Sequence, residues 1–369
     1  MKQRSYEKTQ IGAGKLLNDM IDLNNIEAIK KLDPQNTLGA TDLLLKQCET
    51  AWAEVNALDL PHHIDDITNV VFCGMGASIY GALVLKALLG PQMPFPTEVI
   101  SDYFLPDYVG PNTLVVLTSY SGTTEEVLAC AKEAKAKEAK MVILTKGNAL
   151  AEFANDNKVP SYIFDGKLNL ANAPRVGCGY TIFGLIGLLN KLNVVDLEEH
   201  EVTNAFIRLK DTFQDLKKQA QADVKLFINK IPIIFAAEHL SGNAQILRNQ
   251  CNETSKTFSS HFLIPDLNHH LMEGLQFPTQ APLRFLILNS PNYSNKIKKR
   301  IELTTEVVKK NNYEVHEFMT SGSTVYEDFL EILIYGSYLT LYLGLAYGQN
   351  PATNPYVDWF KEQLATPVK

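Results

Sequence analysis

No run of apolar residues in the chain approaches the roughly 18 to 20 that a membrane helix needs. The longest candidate, 329–347, is interrupted by Glu331, Ser337 and several tyrosines, and reads as a buried C-terminal helix. The start, Met1 to Lys8, is polar and lacks the apolar core of a signal peptide, so a cytoplasmic protein is expected. Cysteine is scarce: Cys48, Cys73, Cys130, Cys178 and Cys251 are odd in number and widely scattered. They fit neither a disulfide frame nor a zinc pattern and are expected as reduced thiols. An excess of positive charge is missing as well. The formal charge is −7, which argues against nucleic acid as the main partner, because holding a phosphate backbone needs a basic face. There is no low-complexity segment, no Walker lysine and no Gly-x-Gly-x-x-Gly.

What is present is an alternation of strand-like and helix-like segments. The 369 residues, 46% of them hydrophobic, are enough for two domains with a core each. Strands are expected at 69–73, 96–100, 113–117, 140–145 and 161–164, with helices at 79–89, 125–139, 148–157 and 180–192. The polar, helix-periodic stretch 198–230 reads as a link. A second series follows, with strands at 231–237, 283–288 and 313–318 and helices at 242–256, 295–311 and 325–347. The fold class is therefore α/β, two doubly wound units with mostly parallel sheets. The expected division is a helical lead-in over 1–40, a first domain over 41–197 and a second over 198–369.

Three separated stretches carry chemistry. Thr118-Ser119-Tyr120-Ser121-Gly122-Thr123-Thr124 lies between a strand and a helix whose first turn is acidic (Glu125, Glu126). Free N–H groups, hydroxyls and a positive helix end converge there, which makes an anion site. Helix capping is the plainer alternative, but capping needs one hydroxyl and this loop offers five from serine and threonine. Gly74-Met75-Gly76-Ala77-Ser78 is a second strand-to-helix turn where backbone can approach a ligand. Arg175 lies in an ordered Pro/Gly-flanked loop, Glu253 in the helix that also carries Arg248 and Lys256, and His269 with His270 after Pro265-Asp266-Leu267-Asn268. Taken singly, these could be a surface arginine, an i,i+3 pair of Glu253 with Lys256, and a loop histidine. His62-His63 with Asp65-Asp66 reads as a solvated turn, and no third metal ligand is visible at a sensible spacing.

In this order the motifs resemble the bifunctional phosphoglucose/phosphomannose isomerase family of the sugar-isomerase (SIS) superfamily, over about residues 69–364. The family's Gly-Met-Gly-Gly-Ser is matched by 74–78, its Ser-Tyr-Ser-Gly-Asn-Thr-Glu-Glu by 119–126, and its Pro-Arg with Gly-Tyr by 174–175 and 179–180. Its Gln-x-Asn-Glu-x-x-Lys is matched by 250–256, its Pro-Glu-Leu-Asn-His by 265–269, and its C-terminal Asp-Pro pattern and helix by 350–361. The departures are Ala77 for a glycine, Thr123 for an asparagine, His270-Leu271 for Asn-Glu, and Ala352 where a threonine often lies.

The resemblance implies isomerisation of glucose 6-phosphate, and of mannose 6-phosphate, to fructose 6-phosphate through a cis-enediol(ate). It implies Glu253 as the base moving a proton between C1 and C2, Arg175 as the enediolate's cation, and His269 and Lys361 in ring opening. Gly76, Ala77, Ser78, Ser119, Ser121 and Thr124 would hold the phosphate. No cofactor or metal is implied; a phosphosugar partner and a homodimer are. The alternatives are an isomerase of another phosphosugar, and a non-catalytic sugar-phosphate sensor on the same fold.

Overall fold

The computed structural model describes residues 21–61 and 63–364. Half of the expected helical lead-in, residues 1–20, and His62 lie outside them. Two asparagines start the described part: Asn25 caps α1 (Ile26–Leu32) and Asn36 caps α2 (Thr37–Asp42), each side chain accepting a backbone N–H three residues on. Helix α3 (Leu44–Asn56) follows and buries Leu45, Cys48, Trp52 and Val55.

The first sheet then forms from β1 (Asn69–Cys73), β2 (Thr97–Ile100), β3 (Thr113–Ser119), β4 (Lys140–Thr145) and β5 (Ser161–Ile163), in the order β2-β1-β3-β4-β5. Every pairing is parallel, with Cys73 opposite Leu117. Its helices are α4 (Tyr80–Leu89), α5 (Glu125–Ala136), α6 (Asn148–Asp156) and α7 (Cys178–Lys191). All seven residues of β3 are buried, as expected of a central strand covered on both faces. This strand runs two residues beyond the sequence expectation and so takes in Ser119.

The expected link is one long helix, α8 (Glu199–Phe227). It buries Val202, Phe206, Leu209, Phe213, Leu216, Ala220, Val224 and Phe227, a stripe at three- and four-residue spacing. That stripe lies along α11 (Val325–Ala346). Each buried apolar side chain of this size contributes about 1.5–3 kcal/mol, against about 0.2–1 kcal/mol for an exposed ion pair. Packing therefore fixes α8. Helix α11 is long and apolar enough to cross a membrane, but 94% of its apolar window is buried inside the protein, in line with the buried C-terminal helix read from the sequence.

The second sheet holds β6 (Ile231–Ala236), β7 (Ser260–Leu263), β8 (Leu283–Asn289) and β9 (Val315–Met319), all parallel in the order β7-β6-β8-β9. This repeats the β2-β1-β3-β4 order of the first. Its helices are α9 (Ser241–Glu253) and α10 (Asn295–Lys310), and the described chain ends with α12 (Pro355–Leu364). Two details depart from expectation. Strand β7 is an addition, and α9 stops at Glu253 instead of running to Lys256. One connected apolar core joins α3, α4, α7, α8, α9 and α11 with one face of the first sheet and with the second sheet. A smaller cluster fills the other face of the first sheet, under α5 and α6.

Candidate active site

In an open parallel sheet, ligands bind beyond the carboxyl ends of the strands, where the order reverses. In the first sheet that point lies between β1 and β3, and the two motif loops meet there. Gly76 has φ +55 and opens a 3-10 turn, Gly76–Ile79, that leads into α4. Glycine adopts this left-handed conformation without a side-chain penalty; Ala77 is buried in an ordinary conformation, so its departure from the family pattern disturbs nothing in the turn. The Ser78 hydroxyl accepts from Tyr120 N at 3.0 Å, joining the two loops. Ser119 Oγ accepts from Gly122 N at 3.0 Å and lies 2.7 Å from Thr124 Oγ1. Ser121 Oγ and Thr123 Oγ1 are 3.0 Å apart on the exposed rim. Thr124 is the N-cap of α5 but makes no side-chain cap bond, so the capping alternative is not realised. The N–H groups of that helix's first turn face the loop without intrahelical partners. Gly122, at φ +73, could carry no side chain: a β-carbon would stand 1.8 Å from Gly147 O.

Glu253 reaches this crevice from the other half of the chain. As the last residue of α9 it is half-buried, and its Oε1 lies 3.9 Å from where a β-carbon on Gly76 would be. Arg175, in the 3-10 turn Pro174–Val176 before α7, is only 3% exposed. It donates through Nη2 to Pro351 O. Nη1 donates at 2.9 Å to Asn354, whose amide in the satisfying orientation also donates to Thr353 O at 2.8 Å. Arg175 Nε has no partner. Burial lowers the guanidinium's pKa, and the charges of Glu253, Tyr80 and Asp358 oppose that shift; the group remains a cation.

Two neighbours have no site role in the sequence reading, Tyr80 because nothing there points to it and Lys256 because it reads as a surface partner of Glu253. Tyr80, fully buried at the start of α4, turns its hydroxyl toward Asn249; burial and the nearby Glu253 carboxylate raise its pKa well above the ordinary value, outweighing the Asn249 hydrogen bond that holds it down. Lys256 does not form the surface pair with the Glu253 carboxylate. It lies past the helix end and donates to the carbonyl of Glu253 at 2.5 Å and to Thr353 O at 2.5 Å. Burial and Arg175 push its pKa down to about 8, against the pull of Glu253. A hydroxyl buried beside a carboxylate and a helix that ends early are tertiary effects, which the local sequence does not announce.

The remaining assigned residues are not gathered in. Lys361 is exposed on α12, one turn beyond Asp358. His269 is exposed at the end of the 3-10 turn Asp266–His269. No hydrogen bond or ion pair joins it to Glu253 or Arg175. His270 beside it pairs with Asp266 at 3.4 Å and borders an apolar cleft of about 330 Å³ over Phe262, Leu275 and Phe285. His63 pairs with Asp65 at 2.9 Å on the surface.

The second sheet has its own crevice, between β6 and β8, with different contents. Glu238 stands at the start of the 3-10 turn Glu238–Leu240, at φ +41, the place Gly76 holds in the first. Its carboxylate accepts from Ser294 N at 3.0 Å and Ser294 Oγ at 2.6 Å, at the start of α10. Beneath it, the fully buried Asp328 accepts through one oxygen from Ser290 Oγ at 2.5 Å and Asn292 Nδ2 at 2.9 Å, and meets His239 Nε2 at 3.0 Å. Burial alone would raise the pKa of Asp328; the bonds from His239, Ser290, Thr320 and Asn292 outweigh it and bring the carboxyl below its ordinary value.

Comparison with known proteins places these features in a family. Residues 63–160 match the SIS domain, and residues 216–364 match the bacterial phospho-glucose isomerase C-terminal SIS domain. A bifunctional phosphoglucose/phosphomannose isomerase of Caldicellulosiruptor bescii is 27% identical over 314 residues, covering 82% of this chain and 91% of that protein. One from Aquifex aeolicus is 25% identical, covering 83% and 93%. Among solved structures, a hypothetical protein from Thermus thermophilus superposes with TM-score 0.63 at 18% identity over 92% of this chain and 94% of that one. Glucosamine-6-phosphate deaminase of Thermotoga maritima superposes with TM-score 0.61 at 14% identity, covering 89% and 97%. At such identities the structures speak for the fold alone.

Proposed function

The chain belongs to the bifunctional phosphoglucose/phosphomannose isomerase family of SIS proteins, and from that premise we propose how its crevice works. The reaction is the interconversion of glucose 6-phosphate and mannose 6-phosphate with fructose 6-phosphate, an intramolecular oxidation and reduction. The observation that carries the reading is the meeting of Glu253 with the Gly76 turn and Arg175 in one place.

The phosphate is held by Ser121, Thr124 and the first-turn N–H groups of α5, with Ser119, Ser78 and the Gly76-Ala77 backbone behind them. Anchoring the phosphate there orients the sugar with its C1–C2 edge toward Glu253. The carboxylate takes a proton from one carbon and returns it to the next. Charge that develops on the enediolate oxygen is met by Arg175, a cation already fixed by Pro351 and Asn354, which needs no reorganisation during the step. His269 and Lys361 serve ring opening.

Since His269 is exposed and unbonded, and α12 presents Tyr356, Trp359 and Phe360 at 70%, 50% and 56% exposure, we read the working unit as a homodimer that completes the site. Sedimentation at micromolar concentration tests this, and a monomer there removes the dimer from the proposal. The five free, buried cysteines accord with a reducing compartment, the cytoplasm. A coupled assay with fructose 6-phosphate and mannose 6-phosphate tests the reaction itself; turnover of neither would leave a sugar-phosphate binder.

A further inference from the structure

Lys256 has geometry that the proposed chemistry does not use. Its φ of +56 lies in the left-handed region that a residue with a side chain rarely adopts. A strained backbone of this kind persists only where its surroundings hold it. The turn is held from below by Ser255, whose hydroxyl donates to Cys251 O at 2.6 Å. This conformation turns the side chain back over the end of α9, where Nζ reaches Glu253 O and Thr353 O, each at 2.5 Å. The segment 351–354 is thus gripped by two cations, Lys256 from the second half of the chain and Arg175, through Pro351 O, from the first. It leads directly into α12, which carries Lys361.

We propose that Lys256 is a positioning residue that ties the end of the helix bearing the base to the 351–354 strap, keeping Glu253, Arg175 and α12 in one relative placement. It acts through carbonyl oxygens and leaves the Glu253 carboxylate unoccupied for proton transfer. Both acceptors are neutral, so the ammonium adds strong charge-assisted bonds without neutralising the base. The role rests on the reading of Glu253 as the base, and the experiment is built to separate the two.

In Lys256→Met, kcat for fructose 6-phosphate should fall roughly 10- to 100-fold, the scale of a misplaced catalytic group, while KM stays within about twofold of wild type. Lys256→Arg, which can still donate to both carbonyls, should recover most of kcat. Hydrogen exchange supplies a readout that needs no activity. Amides of 351–361 should exchange faster in Lys256→Met and near the wild-type rate in Lys256→Arg, with β1 and β3 unchanged in both. A wild-type kcat in Lys256→Met, or unchanged exchange over 351–361, overturns the clamp. If wild-type protein turns over no sugar phosphate, the isomerase reading fails and the exchange arm alone decides the clamp. If Lys256→Met does not fold, Lys256→Arg decides: wild-type-like strap exchange upholds the clamp and accelerated exchange overturns it.

Discussion

The two sheets share a strand order and place a crevice at the same topological point, yet they fill it in opposite ways. In the first, the turn begins with Gly76; in the second, with Glu238. Both residues have positive φ, so the backbone asks the same of each. Glycine leaves the turn bare, and Glu253 from the other half of the chain moves in beside it. At the second turn a side chain is kept, and its carboxylate satisfies the start of α10 itself. Asp328 then takes the donors below. A helix N-terminus attracts an anion in both places; at the second it is supplied from within the chain, and at the first the N-cap Thr124 makes no side-chain bond to the helix.

The sharpest way to break this contrast is at Glu253. Glu253→Gln should lower turnover by about 10²- to 10⁴-fold, the usual worth of a general base, while calorimetry still detects fructose 6-phosphate. Near-normal turnover would move the base elsewhere and leave the first crevice a binding site only.

Next in size is the second crevice. Asp328→Ala strands buried donors on His239, Ser290 and Asn292 and should cost about 3–5 kcal/mol in urea unfolding, with KM of the folded fraction unchanged. Because the carboxyl of Asp328 is lowered in the folded state, its stabilisation is present above its ordinary value and lost as pH falls through the folded one. The wild-type acid limb of stability should therefore flatten in Asp328→Ala. A shift in KM of that variant would mean that the two crevices are coupled.

Ser121→Ala with Thr124→Ala should mainly raise KM for phosphorylated sugars, by about tenfold or more, since a hydrogen bond to a charged group is worth about 1.5–3 kcal/mol. An unchanged KM would put the phosphate elsewhere. The smallest effect is expected at Glu238→Ala, about 1 kcal/mol for a lost helix cap, with KM untouched. A destabilisation of several kcal/mol by equilibrium unfolding would show Glu238 to be more than a cap.

How much of this is legible in the sequence follows from the reach of each interaction. The apolar runs of β1, β3, β4 and β8 announce themselves, because burial on both faces demands continuous apolar sequence. Strand β7 does not: Ser-His-Phe-Leu is short, half polar and only half-buried along its length, and only pairing with β6 makes it a strand. The hydroxyl loop and Gly76 are visible from residue type, since turns and anion sites require them locally. The end of α9 at Glu253 is not, because Thr-Ser-Lys contains no glycine or proline to stop a helix. Its stop comes from Ser255 bonding back to Cys251 and from Lys256 reaching a strap about a hundred positions away. Tyr80 is invisible for the same reason; its buried hydroxyl has meaning only once Glu253 and Arg175 are packed around it.

The shared core has a consequence for how the molecule comes apart. Side chains from both sheets belong to one apolar cluster, and α8, between the two sheets in sequence, is pressed against α11, near the far end of the chain. Cutting the chain ahead of α8 would give two fragments, each with half of a seam turned to water. Such fragments should be insoluble apart and productive when expressed together, and the intact chain should melt in a single transition. The crevice would be lost in that same step, because Glu253 and the hydroxyl loop 118–124 come from opposite sides of the cut.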